Sequence, residues 1–351
     1  MFLRKFLLIF ALILSSSVFA IDKSAWNSNN DPDRLTPDTP TAFEYNFQKL
    51  PTEGQLDYMP WADTYWASYE RGIAARWYGK SNIHITPYKD KVLNMSAESI
   101  KKLSPAEKYD IFVGDYEYSL TKSELNRTSP DDPQWEGLCH GWAPAAMLFQ
   151  EPNAVTVENG EGIKIPFGSS DVKALLTYLQ ANSEAKSYMA GNRCNKDMRI
   201  VTSENKEDAC LDINAGAFHI ILANRIGIIK KGFVMDVGTG EEIWNQPVYA
   251  YDAKIVKTHG PTQDAAEGTV KEIEMDTLVT YIAEVPASFE VPDNNPTQKE
   301  YNYILELDKS NRIIGGKWIS TDYPDFIWVQ KKAKFTGKFK PLEEIYNASI
   351  R

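Results

Sequence analysis

Cysteine and histidine are scarce in this chain of 351 residues: three of the first, Cys139, Cys194 and Cys210, and four of the second. Past residue 20 there is also no apolar run long enough to cross a bilayer. Each scarcity excludes something. Without a long apolar run the body of the protein does not span a membrane, and an odd cysteine count leaves at least one thiol outside any disulfide framework. The formal net charge is −10 and the cations are not clustered, which excludes a reader of phosphate backbones and with it a nucleic-acid partner. No internal repeat is found.

What is present begins with Arg4 and Lys5, an apolar stretch from Phe6 to Leu14 and a small-residue site ending at Ala20. That pattern predicts a secretory signal peptide over residues 1–20. Its removal takes away two cations, moves the charge from −10 to −12, and leaves a secreted protein, extracellular or periplasmic, with no integral membrane segment. Residues 21–44 are rich in Pro, Asp and Asn without a hydrophobic period, and predict an extended or disordered arm. The main domain is expected over 45–335, with a tail at 336–351.

Within that domain, aromatic residues from Trp61 to Trp77 recur at spacings of three and four, which predicts a helix or helical turn packed on the body. Ser104-Pro105 with Glu107 reads as a capped helix start. Residues 139–150 and 171–182 also read as helical. From residue 217 the period shifts toward two, predicting strands over 218–224, 232–237, 247–257, 279–284, 301–307 and 312–319, the last two joined by a turn at 308–311. Helices first and strands afterwards predict an α+β fold.

Cys194 and Cys210 lie in one polar stretch. In an oxidising compartment a bridge between them would stabilise by roughly 3 kcal/mol on the chain-entropy model. Cys139 would then be the leftover thiol. It lies just ahead of an expected helix starting near Trp142, where the positive end of the dipole favours a thiolate. Gly137 and Gly141 flank it and would admit a substrate carbonyl, as a nucleophilic thiol with an oxyanion hole requires. Candidates for the second donor or for shielding are Gln134, Trp135 and Trp142.

A thiol nucleophile needs a base. His140 is its neighbour in sequence, and neighbours on an extended chain point apart, so it reads as a poor base. His219 lies in the apolar segment 217–224, and Asp236 follows on the next expected strand, placed to fix the imidazole's tautomer. Cys139, His219 and Asp236 are therefore the expected triad, in the chain order of papain-like thiol enzymes. His84 and His259 lack such a partner and read as structural or surface residues.

Trp244-Asn245-Gln246-Pro247-Val248 closely resembles the peptide signature of the oomycete-type transglutaminase elicitor family, and Cys139-His-Gly-Trp142, Phe218-His-Ile, Pro60-Trp61 and Gly315-Gly-Lys-Trp318 echo the same pattern. The resemblance spans residues 45 to 330. It implies a papain/transglutaminase-like thiol acyltransferase core and transfer from protein glutamine side chains to primary amines such as lysine, through a thioester on Cys139. Protein substrates bearing Gln and Lys are the implied partners. A compact signal peptide also suits a bacterial member. Tyr249 and Ala250 depart from the elicitor peptide. A papain-like peptidase, amidase or deamidase would use the same triad, and a non-catalytic surface protein is the remaining alternative. No cofactor is required by this chemistry. Calcium is an optional ion only, since no loop has its ligand spacing and pairs such as Asp131-Asp132 read as solvated surface.

Overall fold

The computed structural model of the chain describes residues 26–79, 86–192 and 212–351. The predicted signal peptide and both Cys194 and Cys210 lie outside those residues, as does His84. A short strand β1 (Glu53–Gln55) precedes a set of helices: α1 (Lys89–Val92), α2 (Ala97–Ile100), α3 (Pro105–Phe112), α4 (Ser119–Arg127), α5 (Cys139–Leu148) and α6 (Ser169–Ala181). Between α5 and α6 lies a small hairpin of β2 (Val155–Glu158) and β3 (Lys164–Phe167).

Local chemistry accounts for these starts. The Ser104 hydroxyl accepts from the Glu107 N–H at 3.2 Å, and the Glu107 carboxylate accepts from the Ser104 N–H at 2.9 Å, the reciprocal cap that the spacing predicts. The Asp110 carboxylate caps α4, accepting from the backbone of Leu120 and Thr121. Deep between α3 and α6, Lys108 and Asp171 form a 2.6 Å ion pair with neither side chain exposed. The Trp77 indole and the Gly168 N–H also donate to that carboxylate, so the buried charge is not left short of partners.

Of the two forms predicted for the aromatic stretch after Pro60, the structure has helical turns and not a continuous helix. It holds two 3₁₀ turns, Ser68–Glu70 and Gly72–Ala74, because Trp66 (φ 51°) and Arg71 (φ 78°) adopt left-handed backbone that an α-helix excludes. Its tryptophans still go inside: Trp61 and Trp66 are buried.

The second half supplies β4 (Ser187–Gly191), β5 (Val234–Asp236), β6 (Asn245–His259), β7 (Lys271–Ile282), β8 (Pro296–Leu307), β9 (Ile313–Trp318) and β10 (Phe326–Gln330). They form one sheet in the order β4-β10-β5-β6-β7-β8-β9, with β1 beside β6 and every pairing antiparallel. The architecture is therefore the expected mixed one, with helices mostly N-terminal and the antiparallel sheet mostly C-terminal. The β8–β9 turn also forms as read: the Asp308 carboxylate accepts from the N–H groups of Ser310 and Arg312 at 2.7 and 2.9 Å.

One predicted strand is a helix. The segment around His219 forms α7 (Ala215–Leu222), which runs into a π-helical turn at Ala223–Ile229. A short, wholly apolar run suits a buried strand and a buried helix equally. Asn214 decides the matter locally, its side chain accepting from the Gly216 N–H at 2.8 Å as an N-cap.

The ends are tied down. Residues 26–44, expected to stand off as an arm, dock on the body: Leu35 is fully buried, and Asp38 meets the buried Arg225 guanidinium at 2.7 and 3.1 Å. The tail forms α8 (Leu342–Ser349), whose Leu342 and Ile345 join the helical core.

Alternation along the strands gives the sheet two faces. Met235, Val248, Ile327 and Val329 pack with α7 on one, while Val234, Phe326 and Trp328 pack with Ala143 of α5 on the other.

On the α7 face, the His219 imidazole hydrogen-bonds through Nδ1 to the Tyr303 hydroxyl at 2.8 Å, and that hydroxyl meets Thr277 Oγ1 at 2.7 Å. Burial pushes the imidazole down from 6.5 to about 4, so the folded protein holds it neutral. In the unfolded chain it takes up a proton near its ordinary value. Its stabilising contribution is thus complete above pH 6.5 and lost as the pH falls toward 4, by up to about 3 kcal/mol. Urea midpoints measured from pH 7 to 4.5 should fall more steeply for the native chain than for His219→Gln, and equal slopes would refute this.

Candidate active site

Cys139 is set by the loop before it. The Ser68 N–H donates to the Glu136 carbonyl at 2.8 Å and the Leu138 N–H to the Tyr65 carbonyl at 2.7 Å, which pins residues 136–138 against the 65–68 segment. The helix then starts at Cys139 itself, three residues before the expected start near Trp142. Pro144 consequently falls inside α5, which forgoes one helical hydrogen bond. The flanking glycines allow close protein packing, and Gly137 also lines the cavity beside the thiol. A Cβ on Gly137 would lie 2.7 Å from Tyr65, and one on Gly141 would lie 2.4 Å from the Thr177 carbonyl of α6.

The thiol is only 5 % exposed. Its Sγ lies 3.6 Å from Asn245 Nδ2, which donates to it, and 3.7 Å from the Ile243 carbonyl, which accepts from S–H. Asn245 is fixed from behind, its Oδ1 accepting from the Trp328 indole N–H at 2.7 Å. Asp236 stands directly opposite Asn245 across the β5–β6 pairing, and its carboxylate accepts from the Trp244 N–H at 3.0 Å. Burial raises the thiol's pKa above its ordinary value; hydrogen bonds from the backbone and side chain of Asn245 oppose this, and the charges of Glu284 and Asp236 add to it. At rest the group is a protonated thiol with the donors for its anion already aimed.

Beside Sγ opens a cavity of 610 Å³ whose walls include Trp135, Cys139, His140, Asn245, Phe326 and Trp328. Its lining is mostly apolar, with Arg127 and Glu136 as its charged members.

The expected triad is not assembled. Asp236 and Asn245 form a cross-strand pair on the sheet face that α5 covers, and there Cys139 meets them. His219 belongs to α7 on the opposite face, where its neighbours are Tyr303 and Phe47. The sheet separates the two. The error follows from reading α7 as the strand next to β5: a strand would have placed His219 beside Asp236, whereas a helix carries it behind the sheet.

The other predicted residues divide similarly. Trp135 lines the cavity. Gln134 is exposed and contributes only its carbonyl, accepting from the Tyr65 hydroxyl. Trp142 is fully buried in the helical core, and its indole N–H has no hydrogen-bond partner among the described residues. In the signature run, the Trp244 ring meets Tyr65 edge-on at 5.4 Å, Gln246 donates to Glu284 at 2.8 Å, and Pro247 pairs opposite Val234. Asn245 and Trp328 were not legible as parts of the site, because only the β5–β6–β10 pairing brings them to the thiol. No group of three or more His, Cys, Asp or Glu side chains converges as a metal site among the described residues. Nor is any helix among them long and apolar enough to cross a membrane.

The family model for the transglutaminase elicitor matches residues 121–338, from α4 through β10. The chain belongs to the transglutaminase elicitor family. Among solved structures it is similar to the GP42 transglutaminase from Phytophthora sojae, with a TM-score of 0.67 and 22% identity over 92% of this chain and 98% of that one. That level of identity speaks to the fold. No curated protein sequence matches.

Two substitutions test the hold on sulfur. Asn245→Ala removes the side-chain donor aimed at the anion, and Trp328→Phe frees the Asn245 amide to turn. Both should move the pH midpoint of iodoacetamide alkylation at Cys139 upward, Asn245→Ala the further. Unchanged midpoints would show that Asn245 does not act on the thiol.

Proposed function

We propose that the protein is a secreted protein-glutamine γ-glutamyltransferase, with Cys139 as its nucleophile. The observation that carries this reading is a thiol at the first position of a helix, faced by Asn245 and opening on a largely apolar cavity, in a chain of the transglutaminase elicitor family. A glutamine side chain entering between Trp135 and Trp328 brings its γ-carboxamide to Sγ. Attack forms a tetrahedral oxyanion, for which Asn245 Nδ2 and the N–H groups at the start of α5 are the nearest donors. Collapse expels ammonia and leaves a thioester, and a primary amine such as a lysine side chain takes the acyl group. The apolar walls favour amine over water, which transfer in place of deamidation requires. Asp236, on the same face as the thiol, supplies negative charge near the incoming ammonium. Secretion rests on the signal-like residues 1–20.

A labelled primary amine should be incorporated into a glutamine-bearing protein with release of ammonia, and Cys139→Ala should abolish both. Asn245→Ala should lower the turnover about 100-fold, as loss of one oxyanion donor does. Peptide-bond cleavage without incorporation would replace transfer by a peptidase reading. Ammonia release without incorporation would replace it by deamidation.

A further inference from the structure

With His219 behind the sheet, the thiol needs another proton carrier, and the cavity wall offers one. We infer that His140 is the acid–base residue of the Cys139 reaction, an inference that rests on the acyl-transfer reading above and deepens it.

The geometry supports this in three ways. First, His140 is the one histidine among the residues lining the cavity onto which Cys139 opens. Of the other described histidines, His219 lies on the far face, and His259 stands between Glu272 and Glu274 at the far end of β6. The objection that sequence neighbours point apart holds for extended chain. Cys139 and His140 are instead the first two residues of α5, about 100° apart around its axis, and both reach the same opening. Second, the thiol is buried while His140, on the same cavity, is exposed, so the imidazole can exchange protons with solvent where the sulfur cannot. Third, the Gly137 carbonyl near the ring favours its protonated form, the state a proton carrier must pass through.

The charged groups facing His140 are Arg127 from α4 and Glu136 from the preceding loop. The neighbouring wall residues of β4 and β10, Ser187, Met189, Phe326 and Trp328, carry no charge. The part of the ring covered by the cavity wall and the Arg127 charge lower the imidazole's pKa, against the Gly137 carbonyl, so the ring is neutral and able to accept a proton at neutral pH.

The proton balance closes over the cycle. His140 takes the Sγ proton as the S–C bond forms and the carbonyl becomes an oxyanion. It returns that proton to nitrogen as the C–N bond breaks and ammonia leaves. In the second half it accepts the proton of the attacking amine while the new C–N bond forms. It hands that proton to sulfur as the C–S bond breaks.

The test compares the native chain, His140→Gln and His140→Ala. His140→Gln should fold normally, since the side chain is exposed, and should lower kcat for amine incorporation by about 100-fold or more, with KM for the glutamine donor changing less than about threefold. It should also lose the acidic limb of the pH–rate profile, which a purely structural role would leave in place. Added imidazole should restore part of the turnover of His140→Ala. Activity within threefold of native with the acidic limb intact, or no rescue by imidazole in a folded variant, would overturn the inference. Alkylation of Cys139 gives a readout that does not depend on transfer. Its rate in the native chain should bend at the imidazole titration below pH 6.5, and His140→Gln should remove that bend; a bend that persists in the variant refutes the role. If the native chain neither incorporates amine nor releases ammonia, the acyl-transfer reading falls, and the alkylation profiles alone decide on His140.

Discussion

The site depends on one side-chain amide. Asn245 accepts from the Trp328 indole with its oxygen and donates to Cys139 with its nitrogen, so a β10 residue, a β6 residue and a helix terminus are joined in a single line of polar contacts. Buried amides have a definite cost if left unmatched, about 1–3 kcal/mol for each group. The Trp328 bond therefore does more than stabilise β10: it fixes which end of the amide faces sulfur. An Asn free to turn would present oxygen, a poor companion for a thiolate. The signature run Trp244 to Pro247 has its physical meaning here, since Trp244 caps Asp236, Asn245 meets the thiol, and Pro247 sits in the pairing with β5.

Side-chain parity in β5 and β6 then assigns everything else to a face. Asp236 and Val234 point toward α5, and Met235 between them points toward α7. A one-residue slip in that pairing would exchange the two sets and carry Asp236 away from the thiol. The pairing is held from outside by β10, whose Trp328 pairs with Val234 and whose Ile327 pairs with Met235. The thiol and its cavity on one face and a dry aromatic core on the other, with Phe218, Tyr301, Tyr303 and Trp318 linked by ring contacts, follow from the same alternation.

The parts of this arrangement that were legible in the sequence are those with local causes. Ser104 and Glu107 announce a helix start through a cap that needs only three intervening bonds of chain, and Asp308 announces a turn through its own side chain. A helix close to Cys139 was legible as well, but its start at Cys139 itself was not, since no side-chain cap marks it. The family resemblance was carried by a contiguous run of five residues. The nonlocal parts were hidden. Nothing in the spacing of Asn245, Trp328 and Cys139 shows that three distant segments meet, and the apolar run around His219 fits two kinds of element equally. The one local cue against a strand was Asn214, a good N-cap immediately before the run. Once that cue is heeded, His219 moves behind the sheet and the apparent triad dissolves.

The docked N-terminal stretch carries a consequence for how the chain tolerates trimming. Arg225 sits in the turn that follows α7, almost wholly inside, and its charge is met by Asp38 together with the carbonyls of Leu35 and Gly232. A protease that nicks ahead of residue 26 leaves this plug seated. One that cuts between Asp38 and Phe43 and releases the upstream piece strands a guanidinium in the interior and uncovers the socket vacated by Leu35. The boundary of the stable body is thus set by a leucine and an aspartate in a stretch whose composition reads as dispensable.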